Sequence, residues 1–207
     1  SSTLCAFVAE MESSDLIYLD YQATTPIDDV VLTDIVETAR RSFANPHSTD
    51  HALGWRAAAE VAAASQRIIH ALKAPDHALV FTSGATESNN LALLGAWPHL
   101  ERSGRTEVLV SRFEHACVRA SAAELERRGA EVRQIPVTSA GDVDPKSVER
   151  LCSESTGLCT LMAVNNEVGT ILPVQDAAAI AHRHGAIFHT DASQAIGRIP
   201  VNLDQWN

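Results

Sequence analysis

The feature that most constrains this sequence is an alternation of short apolar runs, closing polar clusters and helix-type patterns. The runs lie at 78–81, 108–110, 158–164 and 186–188, and they are β-branched or contain Phe. Each leads into a stretch with helical periodicity, the order that builds parallel βαβ units. The reading is an α/β fold, a mainly parallel sheet with helices on both faces. In such a sheet ligands gather at the carboxyl ends of the strands. Four polar clusters stand at four such ends: Ser83-Gly84-Ala85-Thr86-Glu87, Glu114-His115, Asn165-Asn166-Glu167 and Asp191-Ala192-Ser193-Gln194.

Each cluster suits one part of an anionic, aromatic, nitrogen-containing cofactor. Gly84 permits a sharp turn, and the helix opened by Ala85 and Thr86 offers free amides and a positive end to a phosphate. An ordinary Ser/Thr cap explains the same residues equally well. Asp191 ends an apolar strand, where a carboxylate needs a cation or several donors. A protonated ring nitrogen meets that need, the pairing used by pyridoxal phosphate sites; a helix cap is the plainer account. His115 can stack on a flat ring or shuttle a proton. Asn166 and Gln194 can hydrogen-bond a phenolic oxygen. Singly, these three also fit structural roles.

The strings quoted so far carry a family resemblance. Ile17-Tyr18-Leu19-Asp20-Tyr21-Gln22-Ala23-Thr24-Thr25-Pro26, Asn45-Pro46-His47-Ser48 and Phe81-Thr82-Ser83-Gly84-Ala85-Thr86-Glu87-Ser88-Asn89-Asn90 are similar to cysteine desulfurase motifs. So are Glu114-His115, Val164-Asn165-Asn166-Glu167-Val168-Gly169 and His189-Thr190-Asp191-Ala192-Ser193-Gln194. These enzymes belong to the class V aminotransferase group of fold-type I pyridoxal phosphate enzymes. The resemblance spans about residues 16 to 207, the N-terminal half of a family member. It implies a pyridoxal phosphate-dependent transferase large domain, with a sheet incomplete at its C-terminal side. It assigns Ala85 and Thr86 to the cofactor phosphate, and His115 to ring stacking and catalytic proton transfer. Asn166 falls near the phenolic oxygen and the substrate carboxylate, Asp191 at the pyridinium, and Gln194 at the phenolic oxygen. The implied reaction takes sulfur from L-cysteine, leaving L-alanine and an enzyme persulfide for sulfur transfer, as in iron–sulfur cluster assembly. Selenocysteine lyase, another class V enzyme, or a regulatory or scaffold subunit are the alternatives.

The family's Schiff-base lysine and sulfur-accepting cysteine fall beyond Asn207. Lys73 and Lys146 read as solvated surface residues. The chain is therefore expected to be inactive alone, and to act with a C-terminal half or longer form, as a homodimer with a sulfur-acceptor protein. Cys5, Cys117, Cys152 and Cys159 show no metal-like or disulfide spacing. Cys117 reads as a small apolar residue in the first turn of a helix. His182 and His184 suit a helix end better than a metal.

Composition supplies the remaining limits. With 45% hydrophobic residues, the 207-residue chain can bury a core as one large domain, taken as 16–207, after a flexible lead-in at 1–15. A net charge of -10 argues against direct nucleic-acid binding. No apolar run reaches the roughly 20 residues of a membrane span. Reduced, scattered thiols without a basic leader suggest a cytoplasmic location. Strands are expected near 78–82, 107–111, 131–135, 158–164 and 186–190. Helices are expected at 30–42, 53–71, 86–97, 116–128, 145–153 and 174–184, with Gly129 and Gly185 as helix stops.

Overall fold

A computed structural model describes residues 17–206. The expected lead-in at 1–15, with Cys5, lies outside the described residues. Two helices come first, α1 (Asp29–Arg41) and α2 (Ala52–Ala71), followed by α3 (Ala85–Ser103). Then strands and helices alternate: β1 (Glu107–Ser111), α4 (Ala116–Arg127), β2 (Glu131–Ile135), α5 (Pro145–Leu151), β3 (Thr156–Thr160), α6 (Val174–Arg183) and β4 (Ile187–His189). A short α7 (Leu203–Trp206) closes the described chain.

Local chemistry explains the helix limits. The Asp28 side chain caps α1 by accepting from the Val30 amide, and Asp144 caps α5 by accepting from Lys146. Pro145 sits in the first turn of α5, where its missing N–H costs nothing. Gly185 ends the α6 connection at φ +69°, and a Cβ there would lie 2.6 Å from the Arg105 Nη1.

The four strands form one parallel sheet in the order β2-β1-β3-β4. β1 is central and buries all five of its residues. Its side chains alternate between two cores. Val108 and Val110 pack with Leu93, Trp97, Val118 and Leu125 of α3 and α4. Leu109 packs on the opposite side with Ile135, Val148, Val174 and Ala177, where α5 and α6 cover the sheet. Helices thus cover both faces, as the continuous apolar runs require.

The expected strand at 78–82 is corrected by the structure. It joins none of the four strands, and Val80 and Phe81 are exposed. The run has strand composition, but a ladder needs a neighbour for its amides and carbonyls, and none of the four strands lies alongside. The run at 158–164 also differs in detail. Its strand begins at Thr156 and ends at Thr160, yet Leu161 still donates to the His189 carbonyl and Ala163 to that of Asp191. That continuation holds Asp191 beside the segment that follows β3.

Candidate functional site

The strand order contains a change of direction. From β1 the chain crosses to β2 on one side, then returns to place β3 on the other. Such a switch point opens a crevice at the carboxyl ends of the two diverging strands. The segments after β1 and β3 line it here, around a cavity of about 350 Å³ bordered by Phe113, Glu114, His115, Arg119, Asn165 and Asn166. Asn165 clamps the two segments together. Its amide nitrogen donates to the Phe113 carbonyl at 3.1 Å, and its oxygen accepts from the Glu167 and Val168 amides at 3.0 and 2.9 Å. Asn166, partly buried and outside this clamp, faces the same cavity as His115.

His115 is the N-cap of α4, its Nδ1 accepting from the Cys117 amide at 3.3 Å. Cys117 Sγ lies 3.0 Å from the same nitrogen. The expectation that Cys117 is merely a small apolar residue is therefore too plain. It does sit in the first turn of α4, half-buried, but its sulfur is also 3.3 Å from the Asn89 amide nitrogen.

Asp191 is buried after β4. Its Oδ1 accepts from the Ser193 amide at 2.9 Å and the Ser193 hydroxyl at 2.6 Å, and its Oδ2 accepts from Asn89 at 2.8 Å. Burial alone would raise its pKa, but these donors together hold it below the usual carboxylate range. A carboxylate has about four acceptor positions. Three are filled by these donors, so a further donor can be accommodated.

Two neighbours stay neutral at pH 7 by contrast. Burial pushes Glu114 up to about 8, the charge of Asp191 adds to the effect, and the Met162 amide at 2.7 Å only partly opposes it. Burial pushes His189 down to about 4 despite the pull of Asp191. Its Nδ1 lies 2.7 Å from the Thr160 hydroxyl, and its Nε2 lies 3.1 Å from Asn89 Oδ1.

The remaining expected residues stand apart from the first cavity. Gln194 shares a second cavity of about 340 Å³ with Asn166 and Gln22. Its amide donates to the Gln22 carbonyl at 3.2 Å and accepts from Arg198 at 2.6 Å. Ala85 and Thr86 open α3, exposed, with no side-chain cap on that helix because Gly84 stands at the N-cap position. Glu87 reaches back only to Ser83, at 2.7 Å to its amide. Asn89, four residues further along α3, ties this helix to Asp191. Lys73 and Lys146 are both exposed, as expected. Among the described residues, no group of three or more His, Cys, Asp or Glu is placed to hold a metal ion, and no helix is long and apolar enough to cross a membrane.

The family model for aminotransferase class-V matches residues 17–207. The chain belongs to the aminotransferase class-V family. Among its relatives is a mitochondrial cysteine desulfurase of Arabidopsis thaliana, 40% identical over 191 residues, covering 92% of this chain and 42% of the relative. A NifS-like protein of known structure superposes with a TM-score of 0.87 at 34% identity, over 92% of this chain and 52% of that one. SspA, solved in complex with cysteine, superposes with a TM-score of 0.85 at 35% identity, over 93% of this chain and 55% of that one. The chain thus spans about two fifths of the length of the curated relative and about half of the solved structures. The expected cytoplasmic location is corrected by these relatives. Several are named mitochondrial or mitosomal enzymes, so a cytoplasmic location does not follow for this chain.

For this class-V chain, sequence reasoning assigned no role to Asn89, His189 or Glu114, although all three lie inside quoted motifs. A usable signal existed for His189. It lies two residues before Asp191, the spacing that puts both side chains on one side of an extended segment.

Proposed function

We propose that this chain is the cofactor-binding portion of a pyridoxal phosphate-dependent cysteine desulfurase. The observation that carries the reading is Asp191: a buried carboxylate kept ionised by three donors, with room for a further one. That chemistry fits a protonated ring nitrogen. The uncapped start of α3 fits a phosphate, so Ala85 and Thr86 would hold that end. His115 would cover the ring, and Gln194 would reach its phenolic oxygen with the second N–H of its amide, the first being given to the Gln22 carbonyl. Asn166, on the cavity of His115, would orient the substrate carboxylate. Bound there, pyridoxal phosphate supplies an electron sink for the α-carbon of the substrate.

Asp191 would keep the proton on the ring nitrogen, and His115 would move protons at the reacting centre. In the overall change, the sulfur of L-cysteine leaves its carbon for an enzyme thiolate, giving a persulfide. The carbon takes a proton and departs as L-alanine. The accepting thiolate and the Schiff-base lysine belong to the portion of the relatives that this chain does not span. A homodimer, and delivery of sulfur to an acceptor protein in iron–sulfur cluster assembly, complete the proposal.

The test incubates the protein with L-cysteine, a reductant and pyridoxal phosphate, alone and with the C-terminal portion of a class-V relative added in trans. Alanine and sulfide should appear together in the combined sample. Asp191→Ala should lower the rate at least about a hundredfold, roughly 2.7 kcal/mol in the barrier. An Asp191→Ala rate near that of the parent would remove the basis of the reading.

A further inference from the structure

The polar network around Asp191 runs in one direction, and that direction reaches His115. A carboxylate can only accept, so Asn89 must present its NH2 group to Asp191 Oδ2. The Asn89 oxygen is then an acceptor, and His189 must donate to it through Nε2–H. His189 is neutral, so its Nδ1 accepts from the Thr160 hydroxyl. Every orientation from Asp191 to Thr160 follows from the first.

Asn89 has a second N–H, and it faces Cys117 Sγ at 3.3 Å. The sulfur accepts there, which leaves its S–H for His115 Nδ1 at 3.0 Å. The Cys117 backbone amide, a donor in every protonation state, points at the same nitrogen at 3.3 Å. Two donors converge on Nδ1, so that nitrogen presents its lone pair. A neutral imidazole then carries its proton on Nε2.

We propose that Asn89 and Cys117 are positioning residues that fix the tautomer of His115, with Nδ1 as acceptor and Nε2 bearing the proton. Asp191 and His115 are thereby joined by hydrogen bonds through two side chains that contact no ligand in this role. The inference rests on the reading of His115 as the site's proton carrier. The arrangement also says what Cys117 is not. A thiolate–imidazolium pair would put a proton on Nδ1, facing the Cys117 amide hydrogen, so the thiol is committed as a donor and is not poised as a nucleophile. Serine can replace that donor; alanine cannot. Loss of the sulfur would also leave one N–H of the buried Asn89 without its partner.

The experiment reads the ring nitrogens directly. The chain has nine histidines. The His115 resonances of protein labelled with nitrogen-15 histidine are therefore identified by their absence in His115→Gln. In its neutral form the parent ring should show a lone-pair Nδ1 and a protonated Nε2. Cys117→Ala removes the thiol donor but keeps the backbone amide, so it should shift both resonances part of the way toward the average of two tautomers, and Cys117→Ser should restore the parent pattern. The parent spectrum needs no variant, so the test stands even if Cys117→Ala folds poorly. A parent with the proton on Nδ1, or an unchanged pattern in folded Cys117→Ala, overturns the proposal. Absorbance titration of the same samples with pyridoxal phosphate tests the functional reading separately. Failure to bind cofactor with the tautomer intact would sink that reading and leave this inference standing.

Discussion

α1 and α6 are both helices with apolar stripes, yet they end in opposite situations. α6 buries Val174, Ala177, Ala178, Ile180 and Ala181 against the sheet, while α1 buries none of its thirteen residues. Val31, Leu32, Ile35 and Val36 of α1 all remain exposed. α2 is little different, burying only Gly54 and Ala57. The contrast teaches that an apolar stripe records a face with a tendency to be covered, without naming its cover. It also separates the candidate site in two. Asp191, His115 and Asn166 stand on the packed sheet, whereas Ala85 and Thr86 follow the unpaired run at 78–82.

The largest effect that would sharpen this comparison comes from Leu109. It is fully buried at the centre of the sheet, among side chains of β2, α5 and α6. Leu109→Ala removes packed methyl groups and leaves a cavity, so it should cost about 3 kcal/mol. The midpoint of urea unfolding reads this directly. A loss below about 1 kcal/mol would mean that the sheet core can collapse around the gap, and the two regions would differ less than their burial suggests.

A somewhat smaller effect concerns pH and lies wholly on the packed side. Glu114 has a folded-state pKa of about 8, raised by burial, against an ordinary value of 4.5. The folded chain therefore binds this proton more tightly than the unfolded chain. Its contribution is fully present below pH 4.5 and is lost as pH rises through about 8. Between pH 6 and pH 8 the loss should be about 2 kcal/mol. Glu114→Gln stays neutral and can still accept from the Met162 amide, so it should lack this part of the slope. Parallel unfolding curves at the two pH values would show the difference. Identical slopes for parent and variant would mean that Glu114 is ionised in the fold.

Much of this architecture was legible in the sequence, for physical reasons that vary by element. The strand at 107–111 was readable from its apolar run Val108 to Val110, and the more polar strand at 131–135 from the Gly129 helix stop just before it, which the structure holds at positive φ. The run at 78–82 was misread because strand identity belongs to a pair of segments, and composition describes only one of them. His115, Asn166 and Asp191 were legible as polar residues at strand ends. Asn89 was not, because its significance comes from a contact with Asp191 across 102 positions. Glu114 was hidden for another reason: its neutrality is set by burial, which no short pattern of residues declares.

The smallest expected effect is the most direct attempt to break the comparison. Leu32→Ala deletes the same atoms as Leu109→Ala, but from α1, where Leu32 is 46% exposed. Alanine is at least as good a helix former as leucine, so local structure loses nothing. With little packing to forfeit, the change in stability should stay within about 0.5 kcal/mol. Urea unfolding at low and high protein concentration would check it. A cost of about 2 kcal/mol or more, growing with concentration, would show that a second copy covers the apolar stripe of α1. In that event α1 and α6 would be two buried helices after all, one covered within the chain and the other by association.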